Sequence, residues 1–388
     1  MFNRDMHAEL LEMAKQYPVV TVTGPRQSGK TTLVRLAFPD KPYVNLESIA
    51  VKQLVEADPV GFLDKYPDGA IIDEIQCHPE LLSDIQVRVD AKQAAGMFIL
   101  TGSHQVGLQG AIAQSLAGRT AVLHLLPMSL SELAAANQED TLDALLLKGC
   151  FPRIYHDRLD PTKAYNGYVQ TYLERDVRQM LEVKNLHAFR KFITLCAGRI
   201  GQVFNKESMA NEVGVSSKTI AHWLSILEAS YIIFLLPPYF ENIGKRLIKS
   251  PKLYFCDVGL AAYLLGIETT TQMSRDPLRG QLFENLVILE LIKKRWNQGL
   301  EHRLHFYRDS NQNEVDVLYQ TGHHVIPIEI KSSKTFHASF GRALAYLKRI
   351  MPERVVHATV VYAGDAEQRV SDMRLLNYAH AARALDSS

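Results

Sequence analysis

Gly24-Pro25-Arg26-Gln27-Ser28-Gly29-Lys30-Thr31 joins an apolar run, Val19 to Thr23, to a helical run that opens Thr32-Leu33-Val34. Glycines at both ends of such a loop, with Lys-Thr leading into a helix, let backbone N–H groups and the helix N-terminus converge on phosphate oxygens. The chemistry expected is ATP binding with Mg2+. Lys30 reaches the β- and γ-phosphates, Thr31 offers its hydroxyl oxygen to the metal, and Gly29 permits close backbone approach. Gly24, Pro25, Arg26, Gln27, Ser28 and Thr32 complete the cradle. A second apolar run, Ala70-Ile71-Ile72, ends in two carboxylates. Asp73 belongs near the Mg2+ shell, and Glu74 stands where it can polarise an attacking water. Nucleotide binding without hydrolysis would not need Glu74. A third run, Phe98 to Thr101, ends at Ser103, which is placed to sense the γ-phosphate; a turn-capping serine is the equal alternative.

Another set of residue types lies near the far end. Glu284 falls in a helical stretch, Asp316 on an apolar strand, and Glu329-Ile330-Lys331 on the next strand, with twelve residues between Asp316 and Glu329. Carboxylates can hold a divalent metal against a scissile phosphate while a lysine orients or activates water. Period-two alternation puts Glu329 and Lys331 on one strand face. Glu314 reads as an ordinary acid on the face of Asp316. The ordered set resembles the PD-(D/E)xK nuclease signature, with Glu284, Asp316 and Glu329 as ligands of a second metal. An active nuclease and an inactive descendant kept as a binding platform are equal readings.

The elements that must position these groups follow from hydrophobic periodicity. Val19 to Thr23, Tyr43 to Leu46, Ala70 to Asp73, Met97 to Thr101 and Thr120 to Leu126 alternate with amphipathic helical stretches, the pattern of a parallel sheet covered by helices. Residues 129–240 turn helical. Within them, Glu207 to Leu227 reads as helix, glycine turn at Gly214 and a Ser-capped second helix, with Tyr231 to Phe240 as a β-wing. Ser217, Lys218 and His222 would then project from the exposed face, and Lys245, Arg246 and Lys249 could add phosphate contacts. Docking of that helix on protein is the stronger competing account. The last stretch reads as helix from Gln281 to Trp296, strands at His305–Tyr307, Glu314–Tyr319 and His324–Lys331, then a helix and a strand at Ala358–Tyr362.

Gly-Pro-Arg-Gln-Ser-Gly-Lys-Thr-Thr-Leu33, Asp-Glu-Ile-Gln76 and Leu-Thr-Gly-Ser103 together resemble the AAA+ branch of P-loop ATPases. In that branch an arginine from a neighbouring subunit commonly meets transition-state charge. Arg119, in Leu-Ala-Gly-Arg119, matches the finger position, with a solvated surface arginine as the even alternative. With Tyr-Leu-Glu-Arg-Asp176 and Tyr-Phe-Cys-Asp-Val-Gly-Leu260 added, nearly the whole chain resembles a bacterial and archaeal family of AAA-type ATPases fused to a C-terminal domain of unknown function. The resemblance implies a multidomain α/β fold. It comprises a P-loop AAA+ parallel-sheet core at 1–128, a helical lid at 129–185, a winged-helix-like segment at 186–245, a linker at 246–270 and a restriction-endonuclease-like domain at 271–388.

Composition narrows the rest. The 388 residues are 47% hydrophobic and 22% charged, near the globular average. Lys and Arg total 43 against 42 Asp and Glu, so no bulk positive field advertises nucleic acid and any such site is a local patch. Cys77, Cys150, Cys196 and Cys256 lie too far apart in sequence for a metal-ligand or disulfide framework. The first residues lack the apolar core of a signal peptide, and the longest apolar run is too short to span a bilayer. The expectation is a cytoplasmic, homo-oligomeric ATPase with no membrane partner, acting on DNA. The competing expectation is an oligomeric ATP switch whose distal domains bind protein.

Overall fold

Val19 to Thr23 is buried along its whole length, as a strand covered on both faces must be. The protein is described by a computed structural model covering residues 2–103, 110, 112, 114–177, 185–239 and 250–386. The Lys245, Arg246 and Lys249 group lies outside these residues. The chain divides into two compact units, the first made of Met1–Met128 with Ala229–Tyr231 and Arg295–Leu300.

In the first unit, β1 (Val19–Thr23), β2 (Tyr43–Asn45), β3 (Ile71–Asp73), β4 (Phe98–Gly102) and β5 (Thr120–His124) form a sheet in the order β2-β3-β4-β1-β5. Every pairing is parallel. Around it run α1 (His7–Gln16), α2 (Lys30–Ala37), α3 (Ile49–Ala57), α4 (Pro59–Asp64) and α5 (Leu81–Lys92). Alternation along the strands divides the core in two. Val20, Val22, Ile71 and Ile99 join Leu10, Leu33 and Val34 on one face. Val19, Ile72, Phe98 and Leu100 join Val55, Phe62, Leu82 and Ile85 on the other. Because all five strands run the same way, their C-terminal ends share one edge, where open α/β sheets place their ligands.

The second unit holds Ser129–Glu228, Ile232–Lys294 and Glu301–Ser388. It begins with α6 (Leu130–Ala135), α7 (Leu142–Lys148), α8 (Pro152–His156) and α9 (Pro161–Tyr168), the last continued by a π-helical stretch, Val169–Val177. Then follow α10 (Leu186–Gly198), α11 (Lys206–Val213) and α12 (Ser217–Ala229). Gly214, at φ 82°, ends α11 in the left-handed conformation that a glycine adopts at least cost. Ser216 caps the start of α12 through the N–H of Thr219. The strand of the expected wing is β6 (Ile233–Leu236), and it pairs antiparallel with β7 (Lys252–Phe255).

Of the stretch 246–270, expected as a linker, residues 246–249 lie outside the described ones, and the rest contributes β7 and the buried helix α13 (Val258–Leu264). Its apolar residues Leu253, Tyr254, Phe255 and Val258 are wholly covered, which a free connection would not be. After α14 (Thr270–Arg275), α15 (Arg279–Trp296) is buried over most of its length. Strands β8 (Leu304–Arg308), β9 (Glu314–Thr321), β10 (His324–Lys331), β11 (Ala358–Tyr362), β12 (Gln368–Val370) and β13 (Met373–Asn377) form a mixed sheet ordered β12-β13-β11-β10-β9-β8. Helix α16 (Arg342–Ile350) packs Leu344 and Leu347 against it. Strands β12 and β13 were not anticipated from the sequence. Among the described residues no helix is long and apolar enough to cross a membrane.

Candidate functional site

The loop after β1 folds as its glycines require. Gly24 has φ 155°, and a Cβ there would lie 2.1 Å from the carbonyl oxygen of Leu125. Gly29, at φ 94°, stands before Lys30, the first residue of α2. Lys30 is buried, and its Nζ donates to the carbonyls of Gly24 (3.0 Å) and Pro25 (2.8 Å). Burial pulls its pKa down to about 8, against the opposing pull of Glu74 and Asp73. The Oγ of Ser28 is buried with no hydrogen-bond partner among the described residues. An orphaned hydroxyl in the loop before the start of a helix suits a ligand rich in acceptors, so the cradle fits a phosphate chain. Arg26 ion-pairs with Glu47 at 3.3 Å.

The ends of β3 and β4 complete this edge. The Thr31 hydroxyl donates to Asp73 at 3.0 and 3.2 Å, so the two expected Mg2+-shell groups already touch. Tyr43 donates to Asp73 Oδ2 at 2.7 Å, and the Thr101 hydroxyl donates to Oδ1. Glu74 sits in left-handed backbone, φ 59° and ψ 49°, a strained conformation typical of functional positions. Its Oε2 accepts from Gln76 Nε2 and from the Ser103 hydroxyl at 3.1 Å. Ser103 therefore meets Glu74 directly. Arg119 forks onto Asp90 of α5, at 2.6 and 2.8 Å, so its described partners lie away from the loop.

Sequence reasoning passed over several residues here. Arg4 clamps the loop from outside, donating to the carbonyls of Ser28 (2.6 Å) and Leu126 (2.7 Å). Tyr43 lies on the strand whose register pairs Asn45 with Asp73. Thr101 and Gln76 fall inside the quoted motifs, and only the folded backbone reveals which carboxylate each one holds.

In the second unit, the structure brings Glu284, Asp316, Glu329 and Lys331 together. The antiparallel register Ile328↔Val317 sets Asp316 beside Glu329, and Asp316 Oδ2 accepts from the N–H of Ile330 at 2.8 Å. Lys331 Nζ lies 2.5 Å from Glu329 Oε1 and 3.7 Å from Asp316 Oδ2. Glu329 Oε2 is buried with no partner among the described residues. Burial, then the charge of Asp316, lifts the Glu329 pKa above the usual carboxylate range. Burial likewise raises that of Glu284, against the pull of Lys252.

Glu284, expected as a metal ligand, is committed elsewhere: Lys252 lies 3.2 Å from its Oε1, and the Tyr254 hydroxyl donates to it. Lys252 also pairs with Glu314 at 2.6 Å, so Glu314 is part of the cluster. Among the described residues no group of three or more His, Cys, Asp or Glu is arranged to hold a metal ion. Asp316 and the orphaned oxygen of Glu329 still fit a hard cation of the Mg2+ kind, which is held by one or two carboxylates with water and substrate phosphate filling the shell.

The exposed face expected of the second helix is present, with Ser217, Lys218 and His222 all exposed on α12. The Asp-Val-Gly-Leu260 motif has a structural role. Asp257 is buried, caps α13 through Leu260 N–H, and accepts from Cys150 N–H (2.7 Å) and Tyr165 hydroxyl (2.5 Å).

Three family models match successive parts of the chain. A family described as AAA domain matches residues 16–134; a domain of unknown function, DUF8612, matches 139–271; another, DUF4143, matches 279–380. Uncharacterized proteins of Mycobacterium tuberculosis and Mycobacterium bovis are each 30% identical over 372 residues, covering 95% of this chain and 82% of theirs. One from Haemophilus influenzae is 24% identical, covering 76% of this chain and 79% of its own. Among solved structures, a Walker-type ATPase of Pyrococcus abyssi is 16% identical with TM-score 0.45, covering 68% of this chain and 96% of that one. AMPPCP-bound DnaA of Aquifex aeolicus is 15% identical with TM-score 0.28, covering 58% and 86%. The chain belongs to the family of these mycobacterial proteins, and its first domain is an AAA-type ATPase domain.

Proposed function

We propose that the chain hydrolyses ATP at the C-terminal edge of the first sheet and acts on DNA through a phosphodiester-cleaving site in the mixed-sheet unit. The observation that carries the reading is the meeting of Thr31 with Asp73 beside Glu74, next to a loop whose Ser28 hydroxyl is buried with no partner among the described residues. Lys30 turns from the loop carbonyls to the β- and γ-phosphates. Thr31 and Asp73 would hold Mg2+, which would offset phosphate charge when bound. Glu74, oriented by Gln76 and Ser103, takes the proton of the water whose oxygen attacks the γ-phosphorus as the bond to the bridging oxygen breaks. Arg119 would have to release Asp90 to serve a neighbouring subunit in an oligomer.

In the mixed-sheet unit, Asp316 and Glu329 would hold a divalent cation, which polarises a phosphoryl oxygen when bound. Lys331, about a third exposed and paired with Glu329, would orient a water beside them. The exposed Ser217, Lys218 and His222 support contact with a duplex backbone. The test is ATP turnover with and without DNA, with cleavage followed in Mg2+ and Mn2+, for wild type, Glu74→Gln and Asp316→Ala. Glu74→Gln is expected to bind ATP and to turn it over at least about 100-fold more slowly. Normal turnover would remove Glu74 as the base. Turnover indifferent to DNA, with no cleavage in either metal, would replace the DNA reading by a protein-binding switch.

A further inference from the structure

The carboxylate site contains a second lysine that comes from β7, away from the strands that supply Asp316, Glu329 and Lys331. Lys252 is 2% exposed, and its Nζ stands between Glu284 Oε1 (3.2 Å) and Glu314 Oε1 (2.6 Å), 5.5 Å from the centre of the Phe306 ring. Period-two alternation sends Tyr254 the same way, to the same oxygen of Glu284. Arg308 covers the other oxygen of Glu314 at 3.3 Å. Against the opposing effect of burial, the carboxylates of Glu284, Asp316 and Glu314 keep the ammonium protonated. Two of the four carboxylates are thus matched by cations of the chain itself. Asp316 and Glu329 have Lys331 as their ion-pair partner among the described residues, and Glu329 Oε2 has no partner among them. Extracting a buried ammonium from between two carboxylates would leave uncompensated charge, so this cation stays. Any divalent ion drawn to Glu284 would meet it at close range.

We propose that Lys252 is the permanent cation of this site, holding Glu284 and Glu314 so that Asp316 and Glu329 alone are open to a divalent cation, and to one ion. The inference rests on the divalent-cation reading given above. Lys252 acts through its two carboxylates and is a positioning residue.

The experiment counts Mn2+ bound by the full chain without nucleotide, from the loss of the free-ion electron paramagnetic resonance signal. Asp316→Asn identifies which ions belong to this site. Wild type is expected to hold one such ion, and Lys252→Arg the same. Lys252→Met is expected to gain a second, or to bind the first at least about tenfold more tightly, because a fixed positive charge beside the ion is gone. Two ions at this site in wild type, or a folded Lys252→Met with unchanged number and affinity, would overturn the proposal. No ion in wild type and one in Lys252→Met would refute the divalent-cation reading of function and leave the permanent cation standing. No ion in either would refute the permanent cation. Should Lys252→Met not fold, Lys252→Met with Glu314→Gln, which removes one charge of each sign and frees Glu284, decides by the same tightening or its absence.

Discussion

Asp73 draws three hydroxyls, from Thr31, Tyr43 and Thr101, and that crowding has consequences at the level of single residues. The Thr101 side chain is fully buried, and its hydroxyl also accepts from the N–H of Glu74 at 3.3 Å. Thr101→Val keeps the shape but leaves that N–H unpaired and Asp73 short of one donor. It is expected to cost about 1 to 3 kcal/mol of stability, read by denaturant melts. A variant as stable as wild type would show that the pair adds nothing. Tyr43→Phe removes a donor at a half-exposed position and should cost less. These partners were hard to find in the sequence for a physical reason. A motif reports groups that meet a ligand, whereas Tyr43 and Thr101 meet another side chain, and that meeting depends on register between strands far apart in the chain.

At the scale of elements, two devices, one buried and one partly buried, tie elements together. Asp257 ties the start of α13 to the backbone of Cys150 and to Tyr165. Asp257→Ala strands the N–H groups of Cys150 and Leu260 at once, while the Tyr165 hydroxyl keeps the Lys148 carbonyl, and is expected to cost at least about 2 kcal/mol. Gly259, two residues on, lies so close to its neighbours that a Cβ would stand 2.4 Å from the Tyr165 hydroxyl oxygen and 2.7 Å from the Gly149 nitrogen. Gly259→Ala should therefore destabilise as well, although glycine is the poorer helix former. The second device is His124, at the end of β5. Its Nδ1 lies 2.9 Å from the Thr23 hydroxyl and 2.8 Å from that of Tyr231, and Trp296 lies against its ring. Burial lowers its pKa to about 4. The unfolded chain then binds more protons than the folded one between about pH 6.5 and 4, so stability is present above that window and falls as pH drops through it. His124→Gln should flatten that fall in thermal melts between pH 7 and 4; an unchanged slope would exclude His124 as its source.

At the scale of the whole molecule, the first unit is not a contiguous stretch of chain. It takes Ala229–Tyr231 and Arg295–Leu300 into the body formed by the first 128 residues. Tyr231 reaches Thr23, the residue before the phosphate loop, at 2.7 Å, and Trp296 packs edge-to-face with Tyr231. A fragment ending at residue 128 keeps the whole sheet yet loses both rings. It is expected to melt lower than the same unit in the full chain and to bind ATP more weakly. A fragment of equal stability and affinity would make the later segments dispensable.

The sequence by itself determined the phosphate loop, the alternation of strands and helices, the place of Asp73 at the end of β3, and the elements that carry Glu284, Asp316, Glu329 and Lys331. All of these are written in local spacing: period two on a strand, period 3.6 on a helix, glycines where the backbone turns. Tertiary structure alone decided that Glu74 is held by Gln76 and Ser103, that Arg119 pairs with Asp90, that residues 252–262 are core, and that Lys252 enters the carboxylate site. Each of these depends on a contact between segments distant in the chain, which local spacing does not encode. A lysine at the head of an apolar strand reads as a solvated end until the fold buries it between two carboxylates.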